Sequence, residues 1–146
     1  MKALFVDTAG WMACADASDR AHVRCCAARD GALEARQMLV TTDFVVDETL
    51  TLLRFRLGLS AAEKWWHQVD RSSRLRWERI DSDRFEKARQ LFFEYRDKDF
   101  FSFTDCTSET PNVEVVRACT LRPTSSRLSG STTAGWAARF PYVPRR

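Results

Sequence analysis

The chain has 146 residues, 45% hydrophobic and 29% charged, enough apolar material for the core of one soluble domain. Its first apolar run, Ala3–Val6, stops at Asp7, too short for a signal peptide, and no stretch reaches the roughly 18–20 apolar residues that span a membrane; a cytoplasmic protein without membrane contact is expected. Residues 1–114 hold 17 Lys and Arg against 20 Asp and Glu, a net −3, while residues 115–146 hold six arginines and no acid, a net +6, so the overall +3 hides an acidic body that repels polyanions and a basic end.

The continuous apolar run "ALFV" predicts a strand buried on both faces, as in a parallel sheet. Residues 9–29 are rich in Ala, Arg and Cys, lack Pro, and read as one helix that Gly31 interrupts. "ALEARQMLV" resumes helical character and turns apolar at Leu39–Val40, a short second strand. Residues 45–57 predict a helix ending at Gly58. "SAAEKWW" opens another with a capping box from Ser60 to Glu63. "LRWERI" reads as a third strand. "DRFEKARQLFFEY" begins with a second box, Asp83 to Glu86, and aligns Phe85, Ala88, Phe92 and Tyr95 on one face. "DFFSFTDCTS" brings aromatics up to Asp105, where a further helix should start. Strands alternating with helices give an α/β fold around a parallel sheet, without internal repeat.

Beyond Ser108 the chain becomes rich in Ser, Thr, Arg and Pro, with one short apolar stretch at Val113–Leu121. Such a segment buries little, and poor order is expected of it. Two units follow: a core at 1–108 and an atypical basic segment at 109–146.

The side chains narrow the chemistry. Five cysteines form no C-x-x-C pair, and His22 and His67 stand at no zinc spacing from them, so reduced, mostly buried thiols and ordinary helix histidines are expected. No Ser/His/Asp or Cys/His arrangement and no glycine-rich phosphate loop is visible. Carboxylates remain. Asp7 ends a buried strand, where open α/β sheets take their ligands, or else simply caps the next helix. On the 45–57 helix, Val45, Val46, Leu50, Leu52, Leu53, Phe55 and Leu57 cover one broad arc, with Asp47, Thr51 and Arg54 opposite. Glu48 falls inside the apolar arc and points inward, toward a site or only toward the stabilising helix N-terminus. Asp105 is either a third such acid or an N-cap. Converging carboxylates repel one another unless a cation sits between them, and hard ions such as Mg²⁺ or Mn²⁺ need only oxygen ligands. Phosphodiester hydrolysis is the chemistry this suits.

The segments "FVDTAGW", "TTDFVVDETLTLLR" and "DKDFFSFTDCTS", in that order, resemble the PIN-domain family, above all the VapC-type toxins of toxin–antitoxin pairs, over about residues 1–108. The resemblance implies an α/β/α sandwich around a central parallel sheet and an Mg²⁺- or Mn²⁺-dependent endoribonuclease. By position it implies Asp7, Glu48 and Asp105 as metal ligands and catalytic acids, with Thr8 orienting ligands beside the first. It also implies an RNA substrate, a homodimer, and a small antitoxin whose helical segment covers the acidic groove.

The departure from the family lies downstream. A fourth carboxylate is normal there, but no Asp or Glu follows Glu114, and Glu109, one turn past Asp105, reads as solvated with Pro111 close behind. The Arg-, Ser- and Pro-rich composition is typical of out-of-frame translation of GC-rich genes, so a frameshift near codons 108–110 is the expected origin of this change; a divergent basic tail that binds RNA phosphates is the alternative. Loss of the fourth acid predicts weak or absent cleavage. A non-catalytic module that still binds an antitoxin is the competing reading. A phosphoryl-transfer enzyme with Asp7 as nucleophile is disfavoured, because Ala9 stands where a second Asp is needed.

Overall fold

The computed structural model describes residues 3–94, 102–108 and 115–117, the last three as backbone. Tyr95, Glu109 and most of the 109–146 segment lie outside the described residues, as do the expectations placed on them.

Among the described residues, ten elements follow in order: β1 (Ala3–Phe5), α1 (Thr8–Ala15), α2 (His22–Glu34), β2 (Met38–Thr42), α3 (Asp43–Leu57), α4 (Leu59–Asp70), β3 (Leu75–Glu78), α5 (Ser82–Glu94), α6 (Phe103–Ser108) and β4 (Val115–Arg117). The sheet has the order β3-β2-β1-β4, and all its pairings are parallel. Ala3 stands opposite Met38 on one side and Val115 on the other, so β1 is an inner strand. This is the α/β fold with a parallel sheet expected from the sequence. β4 lies beyond the expected boundary at residue 108 and falls within the apolar stretch Val113–Leu121.

One core joins the sheet to the first four helices. Leu4, Phe5 and Val6 meet Leu39 and Val40, with Trp11, Val45, Leu53, Trp65 and Val69 packed around them. Trp11 and Trp65 meet edge to face at 5.6 Å, the arrangement favoured by the ring quadrupoles. The Trp11 Nε1–H donates to Thr41 Oγ1 (3.3 Å), whose hydroxyl donates to the Val6 carbonyl (3.2 Å), so a buried polar chain ties α1 to the ends of both inner strands.

A second, aromatic cluster positions α6. Phe103 packs against Phe44 (5.9 Å), Phe85 (5.2 Å) and Phe92 (5.8 Å), and Ala88 is buried on the same face of α5. The aromatic face read from the α5 sequence thus becomes the dock for α6.

Several local expectations are corrected. Residues 9–29 form two helices, because Asp16 and Asp19 fold the chain between them. Asp16 Oδ1 accepts from the Ser18 N–H (2.9 Å) and hydroxyl (2.6 Å), and Asp19 Oδ1 accepts from the Ala21 N–H (2.7 Å). Short polar side chains compete with the helix for backbone donors in this way. Gly31 does not interrupt; it sits inside α2. Ser60 does not cap α4, which starts at Leu59 with Gly58 as its N-cap, at φ 91°, a backbone region natural to glycine. For α5 the cap is Asp81, not Asp83: its Oδ1 accepts from the Arg84 N–H at 2.9 Å. Phe55 and Leu57, assigned to the apolar arc of α3, are exposed. Among the cysteines, all expected as reduced and mostly buried thiols, Cys14, Cys26 and Cys106 are reduced and of these only Cys106 is buried, whereas Cys25 is disulfide-bonded, which overturns the expectation there.

Candidate active site

The cleft forms where the carboxyl ends of β1 and β2 pass into helices, the edge at which open parallel sheets accommodate ligands. Asp7 follows β1 in an extended conformation and is the N-cap of α1; its Oδ1 accepts from the Gly10 N–H at 2.7 Å. Capping and exposure to the cleft therefore coexist in one residue. The local hydrogen bond fixes the carboxylate at the end of a buried strand, and the same side chain lines the cleft.

Glu48 projects from the second turn of α3. It is half-buried, whereas its neighbour Asp47 is exposed, as the helical arc requires. The Thr8 hydroxyl donates to Glu48 Oε2 at 2.6 Å, across 40 residues of sequence. This contact sets the carboxylate beside the start of α1. Thr8, which the resemblance implied as an orienting residue, orients Glu48.

Asp105 is not the N-cap of α6. That position belongs to Ser102, whose N–H (2.8 Å) and hydroxyl (2.9 Å) both donate to Asp105 Oδ2, while Ser102 Oγ faces the Asp105 N–H at 3.1 Å. This reciprocal box holds the carboxylate in the first turn of α6.

Asp7, Glu48 and Asp105 line one cleft of about 330 Å³, together with Thr8, Asp19 and Arg56. The convergence of three acids from distant segments is therefore present. Sequence reasoning missed Asp19, because it placed that residue within a continuous helix; the two Asp residues flanking Ala-Ser in "DASD" were the turn signal. Nearby, the Ser18 hydroxyl and N–H hold the Asp16 carboxyl below the usual aspartate value, with Arg56 a lesser contributor.

The donor set is all oxygen, which fits a hard divalent cation by chemistry. The placement is looser: among the described residues, no three His, Cys, Asp or Glu side chains stand close enough together to hold an ion as positioned. The three acids thus share a cleft without forming a ready-made cage.

A parallel 3-2-1-4 sheet with carboxylates gathered at its carboxyl edge defines an α/β domain of PIN-like fold. No family model matches the chain, and no curated protein does. Among solved structures, it is similar to VapC20 of Mycobacterium tuberculosis, a sarcin–ricin loop cleaving toxin, with 28% identity and a TM-score of 0.62 over 73% of this chain and 78% of that one. The resemblance to VapC-type toxins read from the sequence holds in three dimensions. Among the described residues, no helix is long and apolar enough to cross a membrane.

Proposed function

We propose that this chain is a VapC-type toxin ribonuclease that hydrolyses RNA phosphodiester bonds in the acidic cleft with the help of Mg²⁺ or Mn²⁺. One observation carries the reading: Asp7, Glu48 and Asp105, far apart in sequence, line a single cleft in a fold similar to that of an RNA-cleaving toxin. When bound, a divalent ion polarises the phosphate and lowers the pKa of water; Asp7, Glu48 and Asp105 are the residues that would hold it. The chain's own contribution is positioning. The Gly10 N–H fixes Asp7, the Thr8 hydroxyl fixes Glu48, and Ser102 fixes Asp105. Rate depends steeply on such placement, and the loose spacing of the acids accords with weak cleavage. In the same reading a small antitoxin covers the cleft, the chain pairs as a homodimer, and the protein is cytoplasmic.

The test is a metal titration with a generic RNA, comparing the chain with Asp7→Asn. Asn caps a helix as well as Asp, so this variant keeps α1 while removing a negative ligand. Slow cleavage that needs millimolar Mg²⁺ or Mn²⁺ and disappears in the variant supports the proposal. Cleavage that Asp7→Asn leaves unchanged would refute the site.

The absence of a ready-made cation cage among the described residues favours a second reading, a non-catalytic module whose acidic cleft binds a basic antitoxin segment. Copurification with such a partner, and no cleavage at any metal concentration, would establish it.

A further inference from the structure

A cleft lined by carboxylates repels the polyanion it is proposed to cut, so something in it must offset that field. Of the arginines that the sequence offers for this purpose, most are placed elsewhere. Arg74 donates to the Arg36 carbonyl, Arg76 is paired with Glu78, and Arg54 is exposed on α3 outside the cleft lining. Arg56 differs. Glu48, Leu52 and Arg56 follow one another at single-turn spacing on α3, and all three line the cleft. Arg56 is the one Lys or Arg among the described lining residues, and it is exposed. Among the described residues it forms no hydrogen bond or ion pair, although Asp19 lines the same cleft. Its charge acts on Asp16, whose carboxyl pKa it helps to lower, and the exposed guanidinium remains in the cleft lining.

We propose that Arg56 is the residue by which this cleft grips an RNA phosphate, presenting two parallel N–H donors to its oxygens two helical turns from Glu48. The inference rests on the ribonuclease reading and assigns a substrate contact to it. Arg56 is a positioning residue: it places the backbone of the RNA over the carboxylates.

The test measures binding of a short fluorescein-labelled single-stranded RNA by anisotropy, in Ca²⁺ buffer across a salt series. The full chain is compared with Arg56→Ala, Arg56→Lys and, as a control, Arg54→Ala. Arg56→Ala is expected to weaken binding about tenfold, the usual effect of losing one charge-assisted contact. It should also reduce the slope of log affinity against log salt by about 0.7, one phosphate's share on a single strand. Arg56→Lys should restore the slope but only part of the affinity, and Arg54→Ala should change neither. Unchanged affinity and slope in a folded Arg56→Ala protein overturn the inference and leave the ribonuclease reading standing. If the unaltered chain binds no RNA, both fall together.

Discussion

At the scale of single residues, two groups make testable demands. The Thr8–Glu48 hydrogen bond, at 2.6 Å, joins the beginning of α1 to α3 and gives the half-buried carboxylate its one hydroxyl partner among the described residues. Thr8→Val keeps the shape and removes the donor, so stability should fall by about 1 kcal/mol in urea denaturation, since hydrogen bonds to charged groups are worth somewhat more than neutral ones but this pair is partly solvated. RNA cleavage should fall further than folding does, and Thr8→Ser should restore both. The second group is Cys14. Burial, with a smaller contribution from neighbouring Cys26, pushes its thiol from 9.0 up to about 12. Below pH 9 the thiol is protonated in folded and unfolded chains alike. Between about pH 9 and 12 the unfolded chain gives up a proton that the folded chain retains, so stability falls as pH rises through that window. Cys14→Ser should flatten this part of the pH–stability profile. An unchanged profile would show that the group does not govern it.

Among elements, α6 has only six residues and owes its place to Phe103, which touches rings from α3 and α5. Phe103→Ala removes the half-buried ring at the junction, which should cost about 2 kcal/mol, below the range for fully buried aromatics. Since Asp105 rides on the same short helix, Phe103→Ala should also depress cleavage well beyond any loss of folded protein; equal losses would mean that the dock does not place Asp105. The sequence reading reached the α5 side of this dock because Phe85, Ala88 and Phe92 recur at helical spacing. It reached Glu48 for the same reason, since periodicity reports which way a side chain faces. It failed where local polar groups decide. Asp16 and Asp19 break a run that looks continuously helical, Asp81 takes the cap that Asp83 seemed to offer, and Ser102 caps α6 in place of Asp105. A side chain two or three residues away can serve each of these donors equally well, so composition alone does not choose between them. The single-turn spacing of Glu48, Leu52 and Arg56 puts Arg56 on the same face of α3, but that this face opens into the cleft with Asp7 and Asp105 depends on how α3 packs against α1 and α6.

At the scale of the whole molecule, the order β3-β2-β1-β4 makes the site strand an inner one, and Asp7 therefore emerges from the middle of the sheet. One of the two neighbours of β1 comes from the segment expected to contribute little. Val115, Val116 and Arg117 pair with Ala3, Leu4 and Phe5, the same three residues that Met38, Leu39 and Val40 cover on the other side. Ending the chain at Ser108 would strip β1 of that neighbour and leave a hydrophobic strand with an unpaired row of N–H and C=O groups, which invites edge-to-edge association. The shortened chain should melt several degrees lower, since a loss of about 1 kcal/mol shifts the midpoint of a domain this size by roughly 3–6 °C. It should also aggregate as concentration rises, while a chain ending at residue 121 keeps the strand and resists both changes. If the chain ending at Ser108 instead melts where the full one does and shows no added aggregation as concentration rises, then β4 adds nothing to the sheet and the core is complete at residue 108. The acidic cleft serves as an internal control in either case, because Asp7, Glu48 and Asp105 all precede the cut: under the proposed function, a change in RNA cleavage would then report how firmly the sheet holds β1, and not the loss of one of these three acids.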